Sequence, residues 1–208
     1  MSLLSIDEMI AKGMGRAVTV GALSTGIVGG GAGTILDQDQ PELAIGVPAG
    51  HVIRPFYAAV QVQPGAATTD ADETEILIAV DSLGLWSGDG TVTNENPSNL
   101  RSDLDKGSAC RVGSAFTGNM TTTPGNGAAA AAPVLDLELI REVLTLELAT
   151  AAGQNLYLVR VVYQPKYPVF IVGPATLLVY WGGTVANVGG FAQVHWVEGS
   201  IDQMLPPI

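Results

Sequence analysis

The chain has 208 residues, of which 47% are hydrophobic and only 14% charged, with 26 glycines and 12 prolines. That length suits one large domain with a sizeable core, and the apolar content argues against intrinsic disorder. A net charge of −11 argues against a surface that grips nucleic acid or anionic membranes, since both need clustered Lys and Arg.

One cysteine, Cys110, cannot form an intrachain disulfide, so the fold is expected to hold without covalent staples. Low charge with so much Gly, Ala and Val points to burial against neighbouring copies.

At the N-terminal end, Asp7 and Glu8 stand where a secretory leader would be basic, and no compact apolar core of signal type follows. Ser5-Ile-Asp-Glu8 reads instead as a capping box. Ile6, Met9, Ile10 and Met14 then share a face, which predicts a short amphipathic helix ended by Gly13 and Gly15. Beyond it, Ala17–Leu36 is uncharged and has the length of a membrane span, but its glycines make insertion poor. Val18–Thr34 has too little apolar bulk for a central strand and is expected to run as an extended arm across a neighbour.

After the acidic turn Asp37–Pro41, strands are predicted at Leu43–Val47 and His51–Val62. The second alternates Val52, Phe56, Ala58, Val60 and Val62 on one side, with Arg54 and Pro55 placing it at an edge or delaying its start. Glu75–Leu83 alternates Ile76, Ile78 and Val80, and Gly65–Thr74 reads as a surface loop. Leu85–Gly127 is broken by glycine and proline, with short strands expected at Thr91–Thr93 and Ala109–Phe116. Thr121–Pro133 reads as a draped connector.

Val134–Leu148 is two-sided: Leu137, Ile140, Leu144 and Leu148 would share a helix face, but the alternation favours two strand segments with a bulge or turn near Arg141. Three further strands follow at Leu156–Tyr163, Val169–Trp181 and Phe191–Val197. In the first, Tyr157, Val159, Val161 and Tyr163 face away from Leu156, Leu158, Arg160 and Val162. The last strand must complete the sheets. The last two runs are expected to be buried twice, by the core inside and by a subunit contact outside. Eight or nine strands without βα alternation predict an all-β antiparallel sandwich.

No catalytic constellation emerges. Gly29-Gly-Gly-Ala-Gly33 lacks the Lys-Ser/Thr of a phosphate loop, and no Gly-x-Ser-x-Gly elbow occurs. His51, His195 and Cys110 have no metal-ligand spacing, and His195 reads as a packed or interface residue. Asp70, Asp72, Glu73 and Glu75 form a carboxylate cluster that is read as a solvated acidic loop rather than a calcium site, and Asp37, Asp39 and Glu42 are read likewise. No cofactor, metal or catalytic residue is assigned.

The capped helix and Gly-rich arm of Ser5–Thr34, the acidic proline turn, the strands with long loops and the terminal strand Phe191–Val197 together resemble jelly-roll structural proteins of virus particles: capsid subunits and the trimeric decoration or cement proteins of phage heads. The resemblance implies a jelly-roll β-sandwich over residues 37–208, preceded by a helix and extended arm over 1–36. It further implies a non-enzymatic subunit of the outer shell, made in the host cytoplasm. Its partners would be other copies of itself, as a trimer or higher symmetric assembly, and other capsid proteins. Met1–Leu36 balances Asp7 and Glu8 against Lys12 and Arg16, which disfavours genome contact. The alternative is a carbohydrate- or receptor-binding module, with Trp86, Tyr163 and Tyr167 as stacking candidates.

Overall fold

Ser5 and Glu8 cap each other as their spacing predicts. The Glu8 amide donates to Ser5 Oγ at 3.2 Å and the Ser5 amide donates to Glu8 Oε2 at 2.7 Å, opening helix α1 (Ile6–Ala11). Gly13 ends it in the left-handed region at φ 76°, where the Met14 amide closes on the Met9 carbonyl at 3.0 Å. A helix this short needs a surface to rest on. Buried Met9, with Ile6, Ile10 and Met14, packs onto Val52 and Val197 of a sheet.

The computed structural model describes residues 4–21, 27–28, 36–63, 72–88, 92–146, 159–183 and 189–205. After α1 come β1 (Gly15–Val20), β2 (Ile27–Val28), β3 (Leu43–Val47), β4 (His51–Gln63) and β5 (Asp72–Asp81). Short strands fill the middle: β6 (Gly84–Gly88), β7 (Thr93–Glu95), β8 (Ser98–Asn99), β9 (Arg111–Ser114) and β10 (Thr121–Pro124). The chain ends with β11 (Leu137–Leu146), β12 (Val159–Tyr163), β13 (Ile171–Val172), β14 (Ala175–Gly183), β15 (Gly189–Ser200) and helix α2 (Ile201–Met204).

Two antiparallel sheets face each other. One has seven strands and runs β12-β4-β15-β1-β8, with β13 also on β4 and β2 also on β15. The other has six and runs β11-β5-β14-β3-β9-β7, while β10 and β6 form a separate two-stranded ribbon. Between the sheets lies the main core, with Ile45, Val60, Ile78, Val179, Trp181, Val194 and Trp196 all fully buried. Each such side chain contributes on the order of 1.5–3 kcal/mol by leaving water, which is why period-two alternation sets the faces. Gly190 makes room for Trp181 of the facing sheet: a Cβ there would sit 2.8 Å from Trp181 Nε1.

β15 sits inside its sheet, between β4 and β1, so the final long strand completes the sandwich from within. β14 is buried on both faces, as expected, but its own chain does this. Leu177, Val179 and Trp181 enter the main core, while Leu178 and Tyr180 join Leu77, Ala79, Trp86, Phe116 and Met120 in a second cluster outside the six-stranded sheet. The irregular segment between β5 and β11 supplies that cover.

Several expectations are corrected. Gly15–Val20 does not run as an arm. It pairs along its whole length with β15, which fixes its register so that Val18 and Val20 enter the core. Residues 22–26 and 29–35 of the expected arm lie outside the described residues. β4 is interior rather than an edge strand, and it includes Arg54 and Pro55. The register slips between His195 and Trp196 against Tyr57 and Pro55, and this bulge absorbs the proline. The same bulge reverses the phase: Ala58, Val60 and Val62 face the core with Ile53, whereas Val52 and Phe56 face the opposite side. Val134–Leu148 yields one strand, β11, rather than two segments, with a register shift between Glu138 and Ile140, next to Arg141 as expected. Of the expected connector Thr121–Pro133, Thr121–Pro124 is instead strand β10, while the five alanines from Ala128 are non-helical as expected and Ala131 bridges to Thr122.

Candidate functional site

The outer face of the seven-stranded sheet carries the most distinctive surface chemistry. Three strands build it through their out-facing positions. From β15 comes His195, whose ring lies 5.0 Å from Tyr57 and 6.0 Å edge-on from Phe56, both on β4. From β12 comes the exposed Arg160, whose Nη2 donates to the Tyr57 hydroxyl at 3.1 Å. Further along β4, the Arg54 guanidinium lies over the Phe170 ring at 4.5 Å. Val162, also out-facing on β12, is exposed.

Arg54 is half-buried and, among the described residues, has no carboxylate partner; its Nε is shut off from water with no hydrogen bond. Burial holds the guanidinium below its usual range. His195 Nε2 is similarly enclosed without a hydrogen-bond partner, and burial lowers the imidazole below its ordinary value. A half-buried cation supported only by an aromatic ring is a poor arrangement for a free surface and a good one for receiving an anion.

The charge distribution between the sheets sharpens this. Strands of the seven-stranded sheet carry three arginines and one carboxylate, Glu198, which is buried against Arg16. Strands of the six-stranded sheet carry seven carboxylates and two arginines. The outer face of the seven-stranded sheet thus presents two arginines, Arg54 and Arg160, and no carboxylate from its own strands, in a strongly acidic protein.

A second feature is a cleft of about 560 Å³ where the β5–β6 turn, the segment after β10 and the β13–β14 turn converge. Asp81 lies at its base and is saturated: Oδ1 accepts from the Gly84 amide at 2.8 Å, and Oδ2 accepts from Thr122 Oγ1 at 2.6 Å and the Val134 amide at 3.1 Å. Asp136 accepts from the Ser82 amide at 2.9 Å and from its hydroxyl. With its carboxylates committed, the cleft offers mainly Leu83, Pro124, Ala131, Val134, Val172 and Pro174. Leu83 and Val134 are 69% and 61% exposed, an apolar lip.

Among the described residues, the acidic groups singled out in the sequence form no cluster of three; the side chains of Asp72 and Glu73 lie outside the described residues. Asp70 lies outside the described residues. Glu75 is no solvated loop residue: it is buried in β5 and pairs with Arg141 Nη1 at 2.6 Å. Glu42 is buried too, accepting from the Trp181 amide at 2.9 Å. Asp39 is held above the usual carboxylate range, first by its hydrogen bond with the Asp37 carboxyl and then by burial and the Asp37 charge. No group of three potential metal ligands occurs among the described residues. Of the aromatic candidates, Trp86 is buried edge-on against Phe116 at 5.1 Å, beneath the Arg111 guanidinium at 3.7 Å. Tyr163 is in the main core, and only Tyr167 is open, at 78% exposure.

His195 was visible in the sequence as an interface candidate. Arg54, Tyr57 and Arg160 were not grouped with it, because nothing local links strands so far apart along the chain. No helix among the described residues is long and apolar enough to cross a membrane. No known protein family, no curated protein and no solved structure matches this chain.

Proposed function

We propose that the chain is a non-enzymatic structural subunit of a virus or phage particle, a capsid or head-decoration protein whose sandwich is a jelly roll. Strand order carries this reading. Without the short additions, β1-β15-β4-β12 faces β3-β14-β5-β11. Successive strands cross from sheet to sheet, except that β5 is followed by its own neighbour β11. That is the wrapping of two Greek keys, a fold frequent in virus shells and also in lectins and cupins. Fold alone does not choose among them. The 14% charge content and the open apolar side chains Leu83, Val134, Val143 and Val162 favour assembly over an isolated module.

In this reading the subunit forms a trimer or higher symmetric unit in the outer shell. Arm exchange does not use residues 15–20 or 27–28, which pair with β15 of their own chain. Light scattering on the eluting peak of a sizing column, with electron microscopy of the same fractions, tests it. Closed particles, or small oligomers that decorate preformed ones, are the expected result. A chain that stays monomeric at high concentration and binds no particle overturns the proposal.

A carbohydrate- or receptor-binding module stands second, now resting on exposed Tyr167 beside Lys166, whose Nζ is 5.3 Å from the ring centre. An empty glycan array removes it.

A further inference from the structure

We propose that the basic and aromatic patch formed by Arg54, Tyr57, Arg160 and His195 docks the acidic edge strand β11 of a second copy of the chain. This rests on the assembly reading above and names the contact that would drive it.

Among the described residues, the cations of the patch have no carboxylate partner. The one carboxylate on the strands of that sheet, Glu198, is turned inward and engaged by Arg16. The other carboxylates on elements packed against this sheet are Asp7 and Glu8 of α1, Asp202 of α2, and Asp103 and Asp105 of the loop held by Arg16 and Glu198, where Asp103 pairs with Arg101. Those helices rest on the Val52–Val197 end, and Glu8 is taken up by the Ser5 cap. Arg54 is therefore half-buried with a ring for company and no counter-charge.

β11 has the opposite character. It pairs with β5 on one side and is the terminal strand of the six-stranded sheet. An edge of this length would normally be blunted by lysine, proline or a cover. Arg141 is occupied by Glu75 and Glu138, at 2.6 and 3.1 Å, which leaves Glu142 exposed and unpaired beside Val143, 52% exposed. Glu142 and Val143 point to opposite faces of β11, since they pair with Ile76 and Glu75, so the match is one of charge: the Glu142 carboxylate on one copy against the Arg160 guanidinium on another.

Net charge makes this match selective. Two copies at −11 each repel overall, and an orientation that sets Arg54 and Arg160 against Glu142 offsets part of that repulsion. Because the two surfaces belong to different sheets of one chain, the contact can repeat head-to-tail from copy to copy. Such contacts close into rings or propagate, which is the geometry a shell needs.

Charge reversal tests the pairing on the full-length chain. Arg160→Glu and Glu142→Arg both alter exposed side chains, so each variant should keep the wild-type circular dichroism and melting temperature. Each alone should weaken association at least about tenfold by sedimentation, and the two together should restore it to within a few-fold. Arg54→Met, which keeps an apolar stem over Phe170, should weaken it as well. If the wild type assembles and R160E assembles equally well, the docking face is wrong while the shell reading stands. If both single reversals dissociate the assembly and their combination does not restore it, the pairing with β11 is wrong. A wild type that never associates overturns both.

Discussion

Arg16 Nε lies 3.1 Å from Glu198 Oε1, an ion pair with 2% and 6% of its two side chains exposed. It joins three separate parts of the chain. Arg16 also donates to the Gly13 and Gly15 carbonyls, both at 2.8 Å, and to the Gly107 carbonyl at 2.9 Å. Glu198 accepts from Ser108 Oγ at 2.6 Å, the Ala109 amide at 3.1 Å and Trp196 Nε1 at 3.0 Å. The helix corner, the loop before β9 and the last strand are thereby fixed together. Removing one partner leaves a buried charge with no counter-charge, which costs about 3–5 kcal/mol. Glu198→Ala and Arg16→Ala should each lower the urea midpoint accordingly without changing the slope.

Asp81 is the acceptor that shapes the apolar cleft, and Asp81→Ala strands the Gly84 and Val134 amides and the Thr122 hydroxyl at once. Buried donors left unsatisfied cost about 1–3 kcal/mol each, with part recovered by relaxation and water. A loss of about 2–4 kcal/mol in thermal or denaturant unfolding is expected. Asp81→Asn, which keeps one acceptor oxygen, should fall between the two.

Cys110 is buried, and burial first, then the nearby Glu198 carboxylate, pushes its thiol far above its ordinary range. Since the thiolate is the reactive form, a thiol reagent should label the native protein only as fast as that region opens. Glu198→Ala releases the Ser108–Ala109 loop and should accelerate labelling. Equal rates in the two proteins would mean that Glu198 does not hold the loop closed.

His195 makes stability depend on pH. Its imidazole is depressed by burial in the folded chain and ordinary, about 6.5, when unfolded. Below that value the unfolded state takes up the proton more readily, so stability is full above about pH 6.5 and declines as pH falls through the folded value. His195→Phe should flatten this part of a melting-temperature profile between pH 5 and 8. A slope that survives the substitution would assign it to other groups.

Local features of this molecule were legible residue by residue. The Ser5–Glu8 cap, the Gly13 stop, and the inward sets Ile76/Ile78/Val80 and Val161/Tyr163 follow from helix-end hydrogen bonding and strand alternation, which operate over a few residues. The phase of β4 was misread because a bulge adds one residue, and a bulge is imposed by the partner strand carrying His195 and Trp196.

By itself, the sequence determined the all-β class, most strand positions, the scarcity of charge and the absence of a recognisable catalytic motif. Tertiary structure alone decided the rest: that Gly15–Val20 is a sheet strand, that β14 is covered on both faces by its own chain, and that Arg54, Tyr57, Arg160 and His195 share one surface. The physical reason is the range of the forces involved. Side-chain alternation is a local steric property, whereas Arg160 meets Tyr57 across 103 residues only because β12 and β4 pair in one particular register.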